Sequence, residues 1–135
     1  MYHEVVVTRT IVDKKGFDKS VTEKYYTENK EFLAESEQAL IEFWNGECEV
    51  TSVKQSKIRE FVNERSDDEQ DIYLCTIESV FVDENEEEKS TKYVVGLFAK
   101  SVEEATRIVI EYMKMGIEDM SITSIQRTKI VELIK

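Results

Sequence analysis

Hydrophobic and polar positions follow one sequence of patterns, and they follow it twice. From His3 to Val12 the chain is rich in Val, Thr and Ile, which predicts a β-strand. Asp13 to Lys19, with Gly16 in the middle, suits a hairpin loop. Val21 to Thr27 returns as a second strand, with Val21, Glu23 and Tyr25 on one face and Thr22, Lys24 and Tyr26 on the other. Phe32, Leu33, Ser36, Leu40, Phe43 and Trp44 then fall near i, i+4, i+7 spacing and predict a helix with one apolar stripe. Val50 and Val53 belong to a third strand, whose broken alternation points to a bulge or a change of face.

The same order recurs downstream. Ile72 to Val82 and Thr91 to Phe98 read as strands joined by the acidic tip Asp83 to Glu88. Val102, Ala105, Val109 and Tyr112 mark a second helix, and Ile122 and Ile125 a closing strand. Residues 50–62 and 122–134 align with identical Thr, Ser, Lys, Ile and Glu. Ile41-Glu42-Phe43-Trp44 answers Ile110-Glu111-Tyr112-Met113, Lys24-Tyr25 answers Lys92-Tyr93, and Val12-Asp13 answers Val82-Asp83. Ser101-Val102-Glu103-Glu104 has the form of a capping box, and Glu103 stands four residues before Arg107, the spacing of a helical ion pair. Gly46 and Gly116 each follow a helix, where a left-handed C-cap is expected. Ile58, Phe61 and Val62, like Ile130, Leu133 and Ile134, fit either a short helical turn or an irregular strand extension, and the pattern leaves both open.

Each half therefore reads strand, strand, helix, strand. A unit of about 65 residues is marginal alone, so the two are expected to pool their surfaces. The expected fold is α+β: two ββαβ repeats related by a pseudo-twofold axis, forming an antiparallel sheet with two helices packed on one face. The first repeat spans residues 1–62, an acidic linker 63–70, and the second repeat 71–135, all within one compact unit. The chain contains no proline, so no strand edge is protected by one, and exposed edges invite strand addition or dimerisation.

Composition narrows the functional classes. Twenty-nine acidic against eighteen basic side chains leave a net charge of −11, and the basic residues are scattered. Such a chain repels nucleic acid and anionic lipid, so neither is expected as a partner. The excess serves solubility, or marks an acidic surface that docks on a basic partner. No apolar run approaches the roughly 20 residues of a membrane span, and the start of the chain lacks the pattern of a secretory signal. Cys48 and Cys75 are too few for a disulfide scaffold, and reduced thiols in the cytoplasm are expected.

Catalytic constellations are missing from the pattern. His3 is the only imidazole, and a strand-borne histidine without a paired nucleophile reads as structural. With one histidine and no CxxC spacing, a zinc site has almost no ligands, and no metal or cofactor is expected. No glycine-rich phosphate loop occurs. Asp83 to Glu88, and Asp67, Asp68 and Glu69 in the linker, read as solvated loops rather than cation sites. Trp44 is expected to pack on its sheet. Tyr25 and Tyr26 point to opposite faces, so one of them is expected outside the core, and Tyr25, Tyr26, Tyr73 and Tyr93 form the candidate contact surface.

The order of elements resembles an uncharacterised family of short proteins from gut bacteria and their bacteriophages, catalogued as a domain of unknown function. The likeness rests on the N-terminal hairpin, the Val50-Thr51-Ser52-Val53-Lys54 strand, the Ser101-Val102-Glu103-Glu104-Ala105 helix start and the closing Ile122-Thr123-Ser124-Ile125 strand. It implies a phage- or mobile-element-related origin and a cytoplasmic location, and it carries over no active-site residue. The functional expectation is a non-enzymatic binding or accessory protein that acts through protein–protein contacts, with another protein or as a homodimer. The alternative is a phage-encoded inhibitor or sponge that captures a host defence protein or a small signalling ligand.

Overall fold

Eight strands and two helices follow one another among the residues that this computed structural model describes, 1–116 and 119–135. The first half runs β1 (His3–Val12), β2 (Asp18–Thr27), α1 (Leu33–Phe43), β3 (Glu49–Gln55) and β4 (Ile58–Phe61). The second runs β5 (Asp71–Val82), β6 (Glu88–Ala99), α2 (Val102–Met113), β7 (Asp119–Arg127) and β8 (Ile130–Ile134). Residues 58–61 and 130–134 are thus strands, which decides between the two options their pattern left open. The class is α+β, built as two four-stranded mixed sheets.

The strand orders are β3-β1-β2-β8 and β4-β6-β5-β7, which become the same order when the second is read from β7. In place of one shared antiparallel sheet, each sheet has its own helix, α1 on β1 and β3, α2 on β6 and β7. Each also has one parallel edge strand, β8 along β2 and β4 along β6. That edge strand comes from the other half of the sequence. The compact units are Met1–Ser56 with Lys129–Lys135, and Lys57–Thr128, rather than halves meeting at 63–70.

Chain reach explains the exchange. The place beside β2 lies three strand spacings from β3, about 14 Å. The three steps from Gln55 to Ile58 cover at most about 11 Å. A strand that starts two residues after β3 therefore falls short of the far edge of its own sheet. Residues 63–70 are not a loose linker either. Asn63 donates to the Phe98 carbonyl at 2.9 Å and accepts from its amide at 2.8 Å, and the buried Gln70 side chain accepts from the amides of Ser66 and Asp67. Lys100 pairs with Asp67 at 2.7 Å.

The hairpins repeat down to single hydrogen bonds. Asp13 accepts from the amides of Lys15 and Phe17 through Oδ1, and Asp83 accepts from those of Asn85 and Glu87 in the same way. At the left-handed position stands Gly16 (φ 83°) in one loop and Glu86 (φ 63°) in the other. The helix ends differ more. Ser101 Oγ accepts from the Glu104 amide at 3.1 Å, as a cap should. Gly46 is left-handed (φ 79°), but Gly116 is not; its missing side chain instead leaves room for Met120, whose Cε lies 2.5 Å from where a Cβ would sit. The Glu103–Arg107 pair does not form among the described residues, whereas Lys114 pairs with Glu111 at 3.0 Å.

The apolar stripes are narrower than their spacing suggests. Only Ser36 and Leu40 of α1, and Ala105 and Val109 of α2, are buried, while Leu33, Phe43 and Val102 are about half exposed. Leu40 packs with Val5, Val7 and Tyr25, and Val109 with Tyr73, Cys75, Ile77, Val95 and Leu97. The broken alternation in β3 and β7 is a bulge. Thr51 is the extra residue where Val6 faces Ser52 and Val7 faces Val50, and Thr123 is its match between Ser124 and Ile122. Bulged β3 and β7, and β4 and β8 of four and five residues, guard edges that the lack of proline had suggested were open.

Candidate functional site

The tyrosines named from the sequence do not form a surface. Alternation sends Tyr25 toward α1, where its ring meets Phe43 at 5.8 Å and Trp44 at 6.5 Å. Tyr26 lies on the opposite face and is also buried, as is Tyr73 in the core of the second unit. Burial pushes the hydroxyls of Tyr25 and Tyr26 up to about 12, with Glu23 and Glu4 adding to it. Only Tyr93 stays half-buried, donating to Met120 Sδ at 3.5 Å. The expectation of an outward tyrosine fails because both faces of the β2 end are covered. Nor does the match of Tyr25 with Tyr93 hold in space. Tyr25 opposes Val5 and Val95 opposes Cys75, so Tyr25 corresponds to Val95 and Tyr93 to Glu23.

His3 is fully buried and sits in a chain of hydrogen bonds. Its Nδ1 is 2.6 Å from Ser36 Oγ, which is 2.5 Å from Thr27 Oγ1. Ser36 and Thr27 are equally inaccessible. Burial, then the N-terminal ammonium, lower the His3 pKa, and Glu35 opposes them. The ring is therefore neutral near pH 7, held by its hydroxyl neighbours and closed to any substrate. Cys75 is buried and pushed up to about 11, so its thiol is inert; Cys48, half-buried, donates weakly to the Leu40 carbonyl. Among the described residues no three His, Cys, Asp or Glu side chains gather as a metal site, and no helix is long and apolar enough to cross a membrane.

Two concave surfaces on the second unit remain. One is an apolar groove of about 540 Å³ along the last turns of α2, floored by Val62, Ile108 and Tyr112 and overhung by Met115, which is 79% exposed. Arg107 and Lys114 flank it, and Glu111, the one acid among the described residues of its lining, pairs with Lys114. The other is a cleft of about 420 Å³ lined by Arg59, Ser79, Phe81, Thr91, Tyr93, Tyr112, Gly116 and Met120, with no Asp or Glu among the described residues of its lining. Arg59 lies over the Tyr93 ring, 4.5 Å from its centre. Tyr112 donates to Glu60, and its hydroxyl pKa is raised first by burial and then by that carboxylate.

A cleft in the first unit shares two of these positions, with Arg9 at the position of Ser79 and Gly46 at that of Gly116. There the guanidinium is already committed. Arg9 pairs with Glu23 at 2.5 Å and lies 4.1 Å from the centre of the Trp44 ring, and Glu47 and Glu49 line the cleft. The sequence reading missed all of these. The usable signals were a serine in the middle of an apolar helical stripe, a histidine in phase with Val5 and Val7, and exposed Met115 just past a helix.

The chain belongs to the family described as a domain of unknown function (DUF4494), whose profile matches residues 1–135. No curated protein and no solved structure matches it.

Proposed function

We propose that this member of the family is a non-catalytic binding module that docks a segment of another protein in the groove beside α2. One observation carries the reading: an apolar groove flanked by Arg107 and Lys114, on a chain whose net charge is −11. Exposed methionine adapts to varied side chains, and apolar floors with charged rims are the usual build of a peptide-binding surface. The fitting occupant is an acidic segment with an apolar anchor. The unreactive environments of His3 and Cys75 support a role without chemistry, and the two free thiols support a reducing, cytoplasmic setting.

A homodimer is the second reading, favoured by one feature. The acidic tip 83–88 stands beside Val82, which is 67% exposed, so a second copy offers an occupant of the same chemistry. A photo-crosslinking side chain at position 115, used in the cell that makes the protein, tests both. The reading expects one discrete adduct that disappears in the R107E/K114E variant. An adduct at twice the chain mass identifies the second copy. Absence of an adduct, or one indifferent to the charge reversal, overturns the reading.

A further inference from the structure

We infer that the Arg59 cleft of the second unit is a binding site for a small organic anion, a phosphate or carboxylate carried on an apolar ring. Acidic side chains outnumber basic ones by eleven, yet among the described residues no carboxylate lines this cleft and Arg59 forms no ion pair. Its guanidinium is held in place by the Tyr93 face, so its donor edge is pre-oriented for an oxyanion rather than swinging freely. The Thr91 hydroxyl adds an exposed donor on the same wall, while Phe81, 39% exposed, and Met120 supply an apolar side for the body of the ligand. Tyr112, which separates the cleft from the groove, has its hydroxyl bound to Glu60 and so serves as a wall rather than as a donor to the ligand.

The first unit sharpens the assignment. Its cleft has an arginine stacked on an aromatic ring too, but Glu23 neutralises Arg9, and Glu47 and Glu49 would repel an anion. The two arginines stand on different strands and stack on different rings, and only Arg59 is without a carboxylate among the described residues, which makes the second-unit cleft the anion site. At about 420 Å³ the second-unit cleft lies at the small end of ligand pockets, sized for a single substituted ring. The inference does not depend on docking in the groove, because neither Arg107 nor Lys114 lines the cleft.

Titration of the isotope-labelled full chain with phenyl phosphate, benzoate and inorganic phosphate, followed by NMR at the Arg59 side chain and Tyr93 ring, tests it. Saturable shifts are expected for at least one aromatic anion, and the stronger of the two identifies the head group. R59A, a change at an exposed position, is expected to weaken that binding at least tenfold, with R59K between it and the parent. R107E/K114E is expected to leave it unchanged, which separates this site from the groove. No saturable shift up to about 10 mM, equal binding in R59A, or inorganic phosphate binding as tightly as the aromatic anions would each overturn the inference.

Discussion

The two units share one strand order and fill it with different chemistry. Where the first places His3, Thr27 and Ser36, the second places Tyr73, Leu97 and Ala105, so a buried hydrogen-bonded chain in one is an apolar cluster in the other. On the opposite face Tyr26 lies beside Leu133, whereas Gly96 lies beside Phe61: the large residue has moved from the inner strand to the edge strand. The clefts differ too, with Arg9 neutralised by Glu23 in one and, among the described residues, Arg59 left without a carboxylate in the other. A frame set by strand order tolerates such exchanges as long as volume and polarity are compensated locally. The difference left uncompensated among the described residues is the Arg59 guanidinium, which has no carboxylate partner in an acidic protein.

The sharpest way to break the comparison is at Gly96. A Cβ there would meet the Phe61 ring at 2.7 Å, so G96A is expected to push β4 off β6 and cost about 2–3 kcal/mol in urea unfolding. Adding F61L, which brings in the smaller edge residue of the first unit, should recover part of the loss. Strict additivity in that double-mutant cycle would mean that the ring and the glycine are not coupled.

Next comes the buried polar chain. S36A leaves His3 Nδ1 and Thr27 Oγ1 without the hydroxyl that joins them, and a cost of about 1–2 kcal/mol is expected. Replacing all three with Phe, Val and Ala, after the manner of the second unit, should restore most of it. The same site sets a pH dependence. The folded state lowers the His3 pKa, so the unfolded chain takes up the proton first. Stability should therefore be full above about pH 6.5 and fall as the pH drops below it, levelling once folded His3 is protonated too. The triple variant should lose that slope; its persistence would assign the slope to other groups.

The smallest effect concerns the hairpin loops. Glu86 holds a left-handed conformation that Gly16 adopts freely, so E86G should stabilise the protein by about 0.5–1 kcal/mol and G16A destabilise it similarly. Thermal midpoints that move together rather than oppositely would show that the two loops are not equivalent.

Much of the element order was legible because strand alternation and helical spacing are local. Hairpin loops, both helices, the Ser101 cap and the bulges at Thr51 and Thr123 all follow from residues near in sequence. What was illegible depended on partners far along the chain. Lys24-Tyr25 and Lys92-Tyr93 look alike, but a slip of two residues preserves the face of a strand, so similarity alone could not set the register. Burial of Tyr26 required knowing that its second face is covered. The polar chain required knowing that Ser36, thirty-three positions from His3, stands over it. The cleft required β4 to sit beside β6, which no pattern within residues 58–61 announces.

The exchanged edge strands also put a clock into the making of the molecule. β8 completes the sheet of the first unit, yet it is translated about seventy residues after Ser56. At about 5–20 residues per second, β1, β2, α1 and β3 wait roughly 4–15 s with one side of β2 unpaired. The second unit meets no such delay, because β4 is already made when β6 emerges. The later-synthesised unit is therefore the first able to close, and the N-terminal one finishes last.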